Sequence, residues 1–267
     1  MSTTITRYKY LPFDEGSLKT LSESTIKYTN PTSFNDPFDC LPFYDTSNLK
    51  NLHKLRPDLY RAVVKELGLS PAQAIQQRGK LIAHVKRAME SGEYAKSMIT
   101  DIGVVSLSRT GVSIPMWSHY AGFHSGFVLE FQIPVVGPLH KVKKSNELLV
   151  PLEVHYQHDR PVVHFEGQTN HELLQKIALT KSNDWKYEEE ERVIDQTRGP
   201  GIHKYSRNEV LKSVFFGLKM DPDHKRRIQD EIDAIQHQCK HHINTYNVSA
   251  YDDKYKLYVP GHSTYGG

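Results

Sequence analysis

The chain has 267 residues, with 34 Lys and Arg against 31 Asp and Glu, 15 His and only 2 Cys. That length holds one large domain or two small ones around a real core, and a formal charge of +3 gives little bulk attraction to nucleic acid. No run approaches the ~18 apolar residues of a membrane span, Cys40 and Cys239 are too few for a disulfide framework, and the opening MSTTITRYKY lacks an apolar signal region. The expectation is a cytoplasmic protein without a membrane partner.

Tyr8–Leu11 reads as a short strand, followed by a helix from about Ser17 and a second strand over Thr25–Thr29. Asn30-Pro31 and Asp36-Pro37 then force extended and turn geometry on a structured loop. Residues 48–98 read as helical, with Leu59, Val63 and Leu67 at helix spacing and Ser70-Pro71 as a helix start. The middle switches period. Ile102–Ser108, Gly126–Phe131 and Leu152–Tyr156 read as strands, with a short helix over Met116–Ala121. A helix is expected over Asn170–Ser182, an alternating segment over Trp185–Ile194 and a strand over Val214–Gly217. A charged helix over Asp221–His241 and strands over Val248–Tyr251 and Lys256–Val259 close the chain. Together these give one α+β domain over 1–267, with a mixed or antiparallel sheet core and a helical insertion at about 48–98.

Three blocks concentrate chemistry. In Trp185-Lys186-Tyr187-Glu188-Glu189-Glu190-Glu191-Arg192, a strand would put Glu188, Glu190 and Arg192 on one face. Two neighbouring carboxylates raise each other's pKa unless a cation compensates, which suits a general base or an anchor for sugar hydroxyls. A solvated acidic edge is the bland alternative, and the flanking aromatics argue for a cleft. Asn35 and Asp36, in the loop Asn35-Asp36-Pro37-Phe38-Asp39, offer an amide and a carboxylate on a rigid turn; turn chemistry alone also accounts for them. Met116-Trp117-Ser118-His119-Tyr120 supplies stacking faces and an imidazole, either as a wall for a nucleotide base or as core aromatics. The histidines lack metal-ligand spacing, so no metal is expected. A Gly-rich phosphate loop, a Gly-x-Ser-x-Gly elbow and a GxGxxG fingerprint are all absent.

Read together, Tyr8-Lys9-Tyr10, Phe34-Asn35-Asp36-Pro37-Phe38-Asp39, Ser106-x-Ser108, Met116-Trp117-x-His119-Tyr120 and Lys181-x-x-x-Trp185-x-Tyr187-Glu188-x-Glu190-x-Arg192 resemble the bacterial domain-of-unknown-function 2971 family. The order of the segments is more distantly similar to ADP-ribosyltransferase folds. Those place a polar or aromatic residue on an early strand, a hydroxyl on the next and a Glu-x-Glu on a late one. That resemblance implies Tyr8 and Lys9, Thr29 or Ser106 and Ser108, and Glu188-x-Glu190 in the three roles. It departs from the pattern in offering Tyr and Lys where Arg or His is usual, and in lacking a Ser-Thr-Ser triplet.

The implied activity is an NAD-consuming ADP-ribosyltransferase or NAD glycohydrolase, of the kind found among bacterial toxins and phage-defence effectors. Glu190 would be the catalytic carboxylate and Glu188 its partner. Lys9 would meet the pyrophosphate, and Trp117 or Tyr120 a ring. Tyr8, Thr29, Asn35, Asp36, Ser106, Ser108, His119 and Arg192 complete the expected nucleotide site, with a protein or nucleic acid as acceptor. Two alternatives stand beside it. One is a Mg-dependent nuclease using Asp36, Glu188 and Glu190 with Lys181 at the phosphate. The other is a non-catalytic sensor binding a nucleotide or a protein.

Overall fold

The computed structural model describes residues 3–135, 146–164, 170–239 and 241–266. The chain opens with β1 (Thr3–Leu11), α1 (Glu15–Ser22), β2 (Thr25–Tyr28) and β3 (Phe43–Tyr44). Five helices follow: α2 (Leu52–Leu55), α3 (Pro57–Glu66), α4 (Pro71–Gln76), α5 (Arg78–Glu90) and α6 (Glu93–Ile99). Next come β4 (Gly103–Ser108), α7 (Ile114–Tyr120), β5 (Phe127–Val135), β6 (Leu152–Glu153), β7 (His155–Gln157), β8 (Val162–Val163), α8 (Asn170–Ala178) and β9 (Thr180–Ser182). The last third holds β10 (Glu190–Asp195), β11 (Gly201–Lys204), α9 (Arg207–Val210), β12 (Leu211–Phe216), α10 (Pro222–Cys239), β13 (Asn244–Asn247), β14 (Ser249–Ala250) and β15 (Leu257–Tyr258). Residue 240, inside the helix expected over 221–241, lies outside the described residues.

Two compact units share this chain. Residues 1–29, 102–154 and 184–267 form the first; residues 30–101 and 155–183 form the second. The helical stretch 48–98 lies wholly in the second unit.

The first unit is built on a mixed seven-stranded sheet in the order β13-β12-β5-β1-β4-β10-β6. Its neighbours are antiparallel except β12 and β13, which run parallel. An α+β architecture with a mixed sheet is therefore what the sequence specifies. Because side chains alternate along each strand, register decides what each face carries. Leu129 pairs with Lys9 and with Val214, and Val105 with Val193. With Leu107 these strand residues pack under Leu18 and Leu21 of α1 and Ile228, Ile232 and Ile235 of α10. The opposite face is different. There Ser213 pairs with Glu130, Glu130 with Tyr8, Tyr8 with Ser108 and Ser108 with Glu190.

Local chemistry sets the element ends. Asp14 caps α1 by accepting Ser17 N at 2.7 Å. Gly126 and Gly217 have no room for a side chain. A Cβ at Gly126 would meet the Leu11 carbonyl, one at Gly217 the His124 carbonyl, and Gly217 N donates to Gly126 O at 2.9 Å. In the second unit, Pro57 and Pro71 open α3 and α4, the latter with a full capping box between Ser70 and Gln73. Leu81, Val85 and Met89 make the buried stripe of α5. Here β3 pairs with β8 and β7 with β9, both parallel.

Three expected elements are corrected. The helix over Asn170–Ser182 ends at Ala178, where His155 N takes the Leu179 carbonyl at 2.7 Å and pairing of β9 with β7 begins. The strand over Leu152–Tyr156 is two strands, β6 and β7, in different sheets. The alternating segment over Trp185–Ile194 starts late, because Asn183–Glu188 forms a 3₁₀ helix and β10 begins only at Glu190. Between them Glu189 adopts φ +45°, a left-handed conformation that costs a non-glycine residue on the order of 1–2 kcal/mol.

Candidate functional site

The site grows from the end of β4. Ser108 Oγ donates to the Glu188 carbonyl at 2.7 Å and accepts Thr110 N at 3.1 Å. One buried hydroxyl thus ties the 3₁₀ helix to the loop after β4. That loop is fixed further by Tyr10, whose hydroxyl donates to Thr110 O at 2.9 Å and accepts Ser113 N at 3.2 Å. Trp117 Nε1 donates to the Gly111 carbonyl at 3.0 Å, and Tyr265 Oη accepts Gly111 N at 3.2 Å. The loop leads into α7, which brings the Tyr120 hydroxyl to Glu188 Oε1 at 2.6 Å. A phenol donating to a carboxylate at that distance is a strong, charge-assisted bond.

Glu190 stands two residues on, across the kink. Arg192 clamps it with both prongs, Nε to Oε1 at 2.9 Å and Nη2 to Oε2 at 3.0 Å. Arg192 is wholly buried and Glu190 nearly so, a placement tolerable only because the charges are paired. Glu188 is equally buried, while Glu189 faces solvent and its carbonyl accepts Arg109 N at 3.0 Å. Lys9 belongs by register to the apolar face, and its Nζ donates to the Ser106 carbonyl at 3.0 Å. Burial pushes its ammonium down to about 8, against the pull of Glu190 and Glu188. Aromatic rings gather in the same region. The His119 ring lies 6.2 Å from Tyr120 and 6.3 Å from Tyr187, and Trp185 lies 6.0 Å from Tyr187. His119 is exposed; the other three are partly buried.

The expected site residues separate. Glu188, Glu190, Arg192, Ser106, Ser108, Lys9, His119 and Tyr120 all belong to this end of the first unit's sheet. Tyr8 shares the face but is buried, with its hydroxyl 3.4 Å from Glu130 Oε1 and its pKa raised chiefly by burial. Trp117, expected as a stacking wall, is wholly enclosed against Tyr10 and His124 and offers a ligand no open ring face. Thr29 bridges to Val104, four residues along β4 from Ser108. Asn35 and Asp36 belong to the second unit. There the Asp36 carboxylate accepts Phe38 N at 2.8 Å in its own turn, and Lys181 Nζ lies 3.8 Å from the buried Asp39 carboxylate. Among the described residues no three of His, Cys, Asp and Glu are placed to hold a metal ion.

Sequence reasoning missed a second polar cluster on the same face. Buried Glu130 accepts Ser213 Oγ at 2.5 Å on one oxygen and contacts His262 Nε2 at 3.1 Å on the other. The signal was a lone acid inside the apolar run Phe127-Val128-Leu129-Glu130-Phe131. Trp185 and Tyr187, which flank the acids in the sequence, are both partly buried, with their rings 6.0 Å apart.

A family model described as protein of unknown function (DUF2971) matches residues 116–193. The match runs from α7 through the Glu188–Arg192 segment, and it supports the resemblance that the motifs of this stretch carry. No curated protein matches the chain, and no solved structure does.

Proposed function

We propose that the Glu188 site binds NAD and cleaves its nicotinamide–ribose bond, passing ADP-ribose to water or to a macromolecular acceptor. The observation that carries this reading is the Glu188 carboxylate held by the Tyr120 hydroxyl at 2.6 Å, with His119, Tyr187 and Trp185 around it. Aromatic faces suit a nicotinamide or adenine ring, and a fixed carboxylate suits a ribose diol.

The chemistry needs no redox step. The C1′–N bond breaks with its electron pair leaving on nicotinamide, the positive charge that develops at C1′ is stabilised by a nearby carboxylate, and a water or acceptor oxygen closes the new bond while losing its proton. In this reading the roles expected for the two acids are exchanged. Arg192 bonds both Glu190 oxygens, so in this reading Glu190 and Arg192 form a supporting pair. Glu188, bonded to a partly buried tyrosine, is the carboxylate that would meet the sugar.

The test is nicotinamide release from NAD by the purified chain, followed by chromatography. Wild type should turn over. Glu188→Gln should lose on the order of 10²–10³ in rate, as when one preorganised electrostatic group is removed. Tight NAD binding by calorimetry without turnover would instead select a sensor role and overturn the enzymatic reading.

A further inference from the structure

The second unit carries a cavity of about 460 Å³ lined by residues of α3, α6 and α8 and by Arg56, which immediately precedes α3. Nothing in the NAD reading uses it. Its volume lies in the range of small-molecule sites. Leu59, Met98 and Leu174 supply apolar wall, while Arg56, Asp58 and Tyr94 supply all its ionisable groups. Arg56 donates to Asp58 through Nε at 2.9 Å and Nη2 at 2.6 Å. The arginine side chain is 9 % exposed and the aspartate 51 %. The cavity is thus lined by one buried cation with its counter-ion reaching water beside it.

That charge pattern discriminates among ligands. A simple anion would be drawn to Arg56 but repelled by Asp58, and a simple cation the reverse. A ligand carrying both charges side by side can lie antiparallel to the Arg56–Asp58 pair, its anionic end on the buried guanidinium and its cationic end on the exposed carboxylate. The leucines and methionine ask the remainder of the ligand to be apolar. We propose that this cavity binds a zwitterionic α-amino acid with a large apolar side chain, its carboxylate on Arg56, its ammonium on Asp58 and its side chain against Leu59, Met98 and Leu174.

The probe is L-phenylalanine, titrated calorimetrically into the full chain, with L-leucine as a second. Two comparators each lack one charge: 3-phenylpropanoate has no ammonium, and phenethylamine has no carboxylate. Phenylalanine should bind saturably, and each comparator at least about tenfold more weakly, the cost of one charge-assisted contact. In Asp58→Asn, which keeps the side chain's size and removes its charge, the preference for phenylalanine over 3-phenylpropanoate should vanish, with folding checked by circular dichroism. Met98→Trp, which fills the cavity with an apolar ring, should abolish binding while circular dichroism stays unchanged. No saturable binding of either amino acid, comparators as tight as phenylalanine, or an intact preference in Asp58→Asn would each overturn the assignment.

Discussion

On one face of the seven-stranded sheet, Val105, Leu107, Leu129, Val193 and Val214 close with α1 and α10 into an apolar core. On the other, the same strands line up Ser213, Glu130, Tyr8, Ser108 and Glu190, all of them buried. The first face is held by area removed from water, which is non-directional and tolerant of repacking. On the second, Tyr8, Tyr10, Val128 and Phe215 pack with Trp117 into another apolar cluster, and the polar row among them is held by bonds that must be made. Ser213 and Tyr8 donate to Glu130, Ser108 to the Glu188 carbonyl, and Arg192 to Glu190. The polar row is where the proposed site lies. A chain does not bury a row of polar groups for stability alone, since apolar residues of the same size would serve as well or better; the row fixes positions, and at its β10 end those positions are Glu188 and Glu190.

The contrast can be broken most severely at Arg192. Arg192→Met removes both bonds that Arg192 makes to the buried Glu190 carboxylate, and should cost about 3–5 kcal/mol, read as a fall in denaturation midpoint. Leu129→Ala on the apolar face should cost about 2–5 kcal/mol through its cavity. The sharper comparison adds Glu190→Gln to Arg192→Met. That double variant should recover much of the loss, whereas no second substitution of a polar residue rescues the cavity.

Lys9, which crosses the distinction between the faces, gives a pH signature. Its folded pKa of about 8 lies below its ordinary 10.5, so the folded state binds fewer protons between those values. Its penalty is fully present below pH 8 and fades as pH rises toward 10.5. Stability of the wild type relative to Lys9→Met should therefore climb across that window, by on the order of 1–3 kcal/mol. A flat difference from pH 7 to 10.5 would show that Lys9 is not desolvated.

Smaller still is the stability effect of Glu130→Gln, which keeps the size and weakens the contacts to Ser213 and His262. A loss of about 1–2 kcal/mol is expected, with nicotinamide release unaffected if this cluster serves position alone. Tyr120→Phe should change stability by no more than about 1.5 kcal/mol, yet slow turnover, since its hydroxyl touches the carboxylate proposed to react. Equal turnover in Tyr120→Phe would separate the hydroxyl from the chemistry.

Much of this face was legible in the residue order. The strands at Tyr8–Leu11 and Gly126–Phe131, the hydroxyls at Ser106 and Ser108, and the cluster of acids beside Trp185 and Tyr187 are all visible in the sequence. What hid the rest was non-local or conformational. His262 reaches Glu130 across 132 positions, and no spacing rule links them. The kink at Glu189 rests on a left-handed non-glycine residue, which four consecutive glutamates do not announce. Trp117 misled because a buried and an exposed indole read alike in sequence. Asn35 and Asp36 were placed with the acids by motif, whereas the contacts of the backbone assign them to the second unit.

The central claim, that Glu188 is the carboxylate at which NAD is cleaved, is tested most directly by nicotinamide release under saturating NAD from wild type, Glu188→Gln and Glu188→Asp at matched folded concentration. The account predicts turnover by wild type, a fall on the order of 10²–10³ in Glu188→Gln, and partial recovery in Glu188→Asp, which keeps the charge on a shorter arm. Wild type that binds NAD but releases no nicotinamide, or a Glu188→Gln variant as fast as wild type, would contradict it.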